Sequence, residues 1–145
     1  MKNTISGIVG VVGSTISYAL GGWDLALQTL LIFMAIDYVT GLIVSGVFKK
    51  SPKTKHGGLS SLIGWKGLCR KGMALIIVLI ACRLDMLVGT DFIRDAVIIA
   101  YCTNELLSII ENAGIMGVPI PKPITNAIEA LKSKEDNDNG NSKSR

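Results

Sequence analysis

Long apolar runs alternate with short polar breaks along this chain. Residues 5–22, 25–47, 73–88 and 92–112 form four such runs. Between residues 25 and 36 only Gln28 and Thr29 are polar, and the stretch MALIIVLIAC at 73–82 has no polar side chain of that kind at all. A soluble helix shows a polar outer face about every other turn, so these segments read as membrane spans or as the core of a much larger protein. The run 25–47 covers about 35 Å at 1.5 Å per residue, enough to cross hydrocarbon with some tilt. The run 73–88 is short and needs a thin or locally distorted bilayer. Gly21, Gly22, Trp23 and Asp24 mark a tight polar break, with Trp23 suited to the headgroup level and Asp24 a candidate N-cap for the second helix. Gly89, Thr90 and Asp91 mark a second reversal.

Charge sets the topology. The segment 49–71, KKSPKTKHGGLSSLIGWKGLCRK, holds seven of the fifteen Lys and Arg residues (Lys49, Lys50, Lys53, Lys55, Lys66, Arg70 and Lys71) and no acid. A short loop this basic stays on the cytoplasmic side of a bilayer. The expectation is an all-α integral membrane protein of four transmembrane helices in two hairpins, with both termini inside. Every basic residue except Arg83 and Arg94 then lies on the cytoplasmic side. The units are 1–24 (first helix and outer turn), 25–48 (second helix), 49–71 (basic loop), 72–113 (third and fourth helices), 114–131 (connector and amphipathic helix) and 132–145 (tail). Within the basic loop, Leu59, Leu62, Ile63 and 65–68 suit either a short interfacial helix or a solvated connection.

The ends carry less information. The run 5–22 has one preceding charge, Lys2, and Ala19, Leu20 and Gly21 resemble a cleavage site. A retained glycine-rich helix is preferred over a cleaved signal peptide because the basic lead is weak and a second span follows at once. Gly7, Gly10 and Gly13, interleaved with Ser6, Ser14 and Ser17, would let another helix approach closely and suggest self-association. The stretch GIMGVPIPKP at 114–123 cannot continue a helix past its prolines. Ile124, Ala127, Ile128 and Leu131 then share one face of a short amphipathic helix. The polar, charge-mixed tail 132–145 is expected to lack regular structure.

Two polar stripes interrupt the apolar spans. Asp37, Thr40, Gly41 and Ser45 recur at helical spacing in the second, and Arg94, Tyr101, Asn104, Glu105, Ser108, Glu111 and Asn112 in the fourth. An ionisable group facing lipid costs several kcal/mol, so these stripes must turn toward protein or water. By depth, Arg83 with Asp95 and Asp85 with Arg94 are expected as ion pairs across the second hairpin. Asp37 and Glu105 lie level with each other, roughly 18 to 20 Å from the outer surface at the helical rise, with no basic residue expected beside them. Either both are neutral or hydrogen-bonded to Thr40, Asn104 or Ser108 in a packed interior, or they face water in an assembled pore.

Composition closes off other classes. Hydrophobic residues make up 49% of the chain and charged ones 18%; the mean hydropathy is +0.47, too apolar for an ordinary soluble domain of this size. The net charge of +4 could point to nucleic acid, but no aromatic residues alternate with the basic ones, and anionic lipid headgroups are the fitting partner. Cys69, Cys82 and Cys102 lack metal-ligand spacing and read as small packing residues. His56 stands alone. No catalytic, metal or cofactor site can be assembled, and an enzyme is not expected.

Three blocks carry a family resemblance: Ile36, Asp37, Tyr38, Val39, Thr40, Gly41; the loop ending GWKGLCRKG; and the run from Asn104 through Glu105, Ser108, Glu111 and Asn112 to Gly117, Val118, Pro119, Ile120, Pro121. Together, over about residues 31–131, the chain resembles the phage-lysis and toxin-secretion holin family. The resemblance implies a phage- or prophage-encoded protein of the bacterial cytoplasmic membrane that oligomerises abruptly into lesions. Those lesions release an endolysin or a toxin as cargo, with no direct contact implied. It singles out Asp37, Gly41, Glu105, Glu111 and Asn112 as structural candidates. Alternatives are a small oligomeric ion channel or transporter, motivated by the mid-membrane acids, and a non-conducting scaffold or holin antagonist.

Overall fold

The computed structural model is all-helical, with α1 (Lys2–Ala19), α2 (Leu25–Gly46), α3 (Ser61–Val88), α4 (Ile93–Ile115) and α5 (Lys122–Asn141). The structure describes residues 1–53, 56 and 58–141, of which 131, 132 and 134–141 are described by backbone alone. Lys55, expected among the topology-setting charges, lies outside the described residues, as does the tail beyond 141.

Local chemistry fixes both tight reversals. The Asp24 carboxylate accepts the Leu27 N–H at 2.9 Å and starts α2, as its N-cap spacing predicts, satisfying one of the unpaired N–H groups of the first turn. At the end of α3, Gly89 takes a left-handed conformation (φ 76°), and the Gly89 and Thr90 N–H groups donate to the Asp85 carbonyl at 2.9 and 3.0 Å. Glycine adopts that conformation without a Cβ penalty. These two reversals define the turn end of the bundle. The α2–α3 loop and the α4–α5 connection define the loop end.

α4 is the central helix, packing most extensively on α2 and then on α3 and α5, while α2 and α3 meet over a shorter stretch. The apolar core sits toward the turn end: Leu27, Leu30 and Met34 from α2, Ala74 and Val78 from α3, Ile98 and Cys102 from α4, and Leu20 from the first turn. Outside that core the usual polarity is inverted. Ile32, Ile36, Val39 and Ile43 of α2 and Met73, Ile76, Ile80, Leu84 and Leu87 of α3 are exposed, whereas Asp85, Arg94, Thr103, Glu105 and Asn112 are buried. Water would penalise such a surface and hydrocarbon favours it. Among the described residues α2 is the one helix long and apolar enough to cross a membrane by length and composition.

Two expectations change, and a third observation bears on α1. Helix α3 begins at Ser61 and runs 28 residues, so the basic loop is shorter than 49–71, and Lys66, Arg70 and Lys71 belong to the first three turns of the third helix. No proline or left-handed residue separates Leu62 from Met73, so nothing breaks the helix there. The region beyond residue 131 continues α5 to Asn141 instead of losing regular structure; no proline follows Pro123, and Pro123 itself sits in the first turn, where its missing N–H costs nothing. Helix α1 packs its length against no other helix. A Cβ at Gly7, Gly10 or Gly13 would meet nothing within 4 Å, so among the described residues the small-residue face has no partner within one chain.

Candidate functional site

In an α-helix, residues three or four apart share a face. Lys71 therefore falls on the inner face of α3 with Ala74, Val78, Cys82 and Asp85. The last four are buried, and Lys71 extends their row toward the loop end. Its ammonium donates to Asp37 Oδ2 of α2 at 2.8 Å and to Glu105 Oε2 of α4. The side chains of Lys71, Asp37 and Glu105 are only 13, 13 and 10% exposed. Asn112 completes the cluster, donating from Nδ2 to Thr40 Oγ1 at 2.9 Å and to Asp37 Oδ1 at 3.3 Å. The Thr40 hydroxyl in turn donates to the Asp37 carbonyl at 3.1 Å. Gly41 faces the same group: a Cβ there would lie 3.9 Å from Asn112 Nδ2, in ordinary contact. Three helices are thus joined by side chains alone, with two carboxylates on one ammonium.

This cluster borders a cavity of about 450 Å³ at the loop end, whose lining includes Tyr38, Arg70, Asn104, Ser108 and Glu111. Asn104 and Glu111 are exposed and Ser108 half-buried. Apart from Arg94, which lies at the opposite end, every residue of the polar stripes of α2 and α4 belongs to the cluster or lines the cavity beside it, Asp37, Thr40, Gly41, Glu105 and Asn112 at its centre. The expectation that Asp37 and Glu105 lack a basic neighbour is corrected. Lys71, counted as a loop charge, is their shared partner; a lysine stem of four methylenes reaches several ångströms past its own Cα level. Asn112, rather than Asn104 or Ser108, supplies the neutral donor to Asp37.

A second set of charges works at the turn end. Asp85 accepts the backbone N–H groups of Ile93 (3.1 Å) and Arg94 (2.8 Å) and the Thr90 hydroxyl (2.6 Å). An acid from the last turn of α3 thereby caps α4, whose own Phe92 offers no capping side chain. The Arg94 guanidinium donates from Nε to the Leu20 carbonyl at 2.6 Å and from Nη1 to Asp24 at 2.7 Å and Asp95 at 3.0 Å. Those hydrogen bonds from Arg94 and Leu27 hold the Asp24 carboxyl below the usual carboxylate range. Gly21 (φ 91°) lies so close that a Cβ there would stand 2.6 Å from Arg94 Nε and 3.2 Å from Cys82 Sγ.

The expected pairings of this hairpin are corrected. Arg83 is exposed and turns its Nη1 to Met86 Sδ at 3.6 Å, so it does not reach Asp95, which pairs with Arg94 instead. Asp85 and Arg94 do meet, but through carboxylate and backbone N–H; the guanidinium crosses to the α1–α2 turn. Capping is the stronger use of Asp85 because it satisfies two orphan donors at a helix start whose own N-cap residue, Phe92, has no side-chain acceptor. Among the described residues no group of three His, Cys, Asp or Glu could hold a metal ion.

With this geometry in view, the chain is similar to several small bacterial and phage proteins. It is 38% identical over 141 residues to a 14.9 kDa protein in the nagH 3′ region of Clostridium perfringens, covering 93% of this chain and 100% of that one. Identity to the Lmo0128 protein of Listeria monocytogenes is 39% over 133 residues, 91% of this chain and 89% of the relative. The probable holin of Bacillus phage phi105 is 32% identical over 111 residues, 76% of each chain. No solved structure matches. The bacteriophage holin family, whose members permeabilise membranes without enzymatic chemistry, matches residues 14–133, and the chain belongs to that family.

Proposed function

We propose that this protein is a four-span holin that accumulates in the bacterial cytoplasmic membrane, self-associates and opens lesions through which a phage endolysin, or in some settings a toxin, leaves the cytoplasm. Both termini and the loop end face the cytoplasm in this reading. Lys49, Lys50, Lys53, Lys66 and Arg70 crowd that end and, with Lys55, hold it beside anionic headgroups. The charges that lower the apolar character of α3 and α4 include Lys71, Asp85, Arg94 and Glu105, all turned inward, which supports a membrane setting for these helices despite their composition.

The observation that carries the proposal is the inverted polarity of the bundle. Its outer surface along α2 and α3 is mostly apolar, while α2 and α4 together hold a polar edge of Asp37, Thr40, Asn104, Glu105, Ser108, Glu111 and Asn112 near one cavity. Two hairpins with one such edge each cannot enclose a lumen wide enough for a folded enzyme. Several copies that turn these edges toward a common water-filled space can. The small-residue face of α1 supplies a route of association between copies.

The test is inducible expression in bacteria with a muralytic enzyme kept in the cytoplasm. The expected result is a delay during which protein accumulates, then sudden depolarisation and lysis. Survival without depolarisation, at good membrane accumulation, would sink the proposal. The cavity also favours a second reading, a small oligomeric channel, which predicts graded and ion-selective conductance in liposomes and no enzyme release.

A further inference from the structure

We infer that Lys71 is a latch that holds the single chain in its closed form, a positioning role that rests on the holin reading and adds to it a control of when the polar edge is released. The inference comes from the chemistry of the cluster. Lys71 brings together carboxylates from two other helices, Asp37 of α2 and Glu105 of α4. Among the described residues none of the three side chains bonds to a backbone group outside its own helix, so the helical hydrogen bonding survives if they part. The cavity of about 450 Å³ adjoins them, and each retains slight accessibility. Release therefore needs only a movement of side chains into an existing cavity.

Charge counting gives the latch a sign. Two ionised carboxylates and one ammonium leave a formal charge of −1. Removing the ammonium leaves two like charges facing each other in the interior, which favours opening and hydration. Neutralising either acid leaves one carboxylate for one ammonium, which favours the closed form. Other polar groups facing the cluster are Asn112 and Thr40, with Tyr38, Lys53, Arg70 and Glu111 on the cavity wall; the cations among these wall groups touch neither acid, so the close ion count stays with Lys71. A merely structural site would give loss of accumulation or function with every substitution. A latch gives opposite directions.

Two buried thiols report on this without reference to lysis. Cys102 lies one turn from Glu105 on α4, and Cys82 lies near the turn end of α3; Cys69 is exposed. In membranes from a Cys69→Ser background, Lys71→Met should label Cys102 with a permeant maleimide about tenfold faster or more, as loss of one partner of a buried ion cluster demands. Cys82 should stay protected. Lysis should begin earlier at matched accumulation, Asp37→Asn and Glu105→Gln should each delay it, and Lys71→Arg should restore the original timing and protection. If Lys71→Met does not accumulate, the pair Asp37→Asn with Glu105→Gln strands the ammonium instead and should expose Cys102 in the same way. Unchanged Cys102 labelling, or equal exposure of Cys102 and Cys82, overturns the latch. Absence of lysis from the parent protein overturns the holin reading and leaves the labelling result to decide the latch separately.

Discussion

The two charged regions of this bundle use the same residue types to different ends. At the turn end, Asp24, Asp85 and Arg94 bond to backbone: Asp24 starts α2, Asp85 starts α4, and Arg94 grips the Leu20 carbonyl. At the loop end, Lys71, Asp37, Glu105 and Asn112 bond chiefly to one another. A charge that satisfies a helix terminus cannot leave without exposing unpaired N–H or C=O groups, which in hydrocarbon have no other partner. A charge that satisfies another side chain can leave once water reaches it. The turn end is therefore built as a fixed clamp and the loop end as a releasable contact, although both are ionic and each centres on a largely buried cation, Arg94 in one and Lys71 in the other.

The largest expected break of this contrast is Arg94→Met. It removes the partner of the Leu20 carbonyl and of Asp24 and should destabilise the solubilised protein by about 3 kcal/mol, the upper end for losing a charge-assisted hydrogen bond and leaving its acceptor unsatisfied, since Asp24 itself is partly exposed, read as a fall in thermal midpoint. Because the Gly21 turn lies over Cys82, this variant should expose Cys82 to maleimide and leave Cys102 protected, the reverse of the Lys71→Met pattern. Exposure of both thiols to the same degree would mean that the two ends are one cooperative unit and that the contrast is wrong. A smaller effect is expected from Gly21→Ala. A left-handed backbone at φ 91° and a Cβ 2.6 Å from the guanidinium together should cost about 2 kcal/mol, with the same choice of thiol exposed. A thermal midpoint equal to the parent's would show that the turn can move off Arg94 freely.

The sequence makes the turn end partly legible and the loop end less so. Asp24 as an N-cap and Gly89 as a reversal follow from local residue preferences, and the structure keeps both. The partners of Arg94 do not follow, because depth along a helix says which residues are level and nothing about which way a side chain turns. Level counting favoured Arg83 with Asp95, whereas Arg83 sits on the outer side of α3. Lys71 was hidden for a related reason. It lies within a basic segment whose total charge predicts the side of the membrane, and its register with Ala74, Val78, Cys82 and Asp85 was the signal that separates it from Lys66 and Arg70. The polar stripes of α2 and α4 were legible from spacing alone, since three- and four-residue steps place Asp37 with Thr40 and Glu105 with Ser108 and Asn112 on common faces.

Helix α1 offers the smallest effect on the fold and the sharpest separation of fold from assembly. Gly10 has open space around it, with nothing among the described residues within 4 Å of a Cβ, so Gly10→Leu adds a side chain that starts in open space. A leucine also favours helix over glycine by up to about 1 kcal/mol. The thermal midpoint should hold or rise slightly, and Cys82 and Cys102 should stay as protected as in the parent. If the face of Gly7, Gly10 and Gly13 meets a second copy, the leucine keeps the two helices apart. Crosslinked oligomers in the membrane should then fall and lysis should come late or fail, although the single chain is at least as stable as before. Unchanged crosslinking and unchanged onset would remove α1 from the assembly surface and leave the released polar edge of α2 and α4 as the contact between copies.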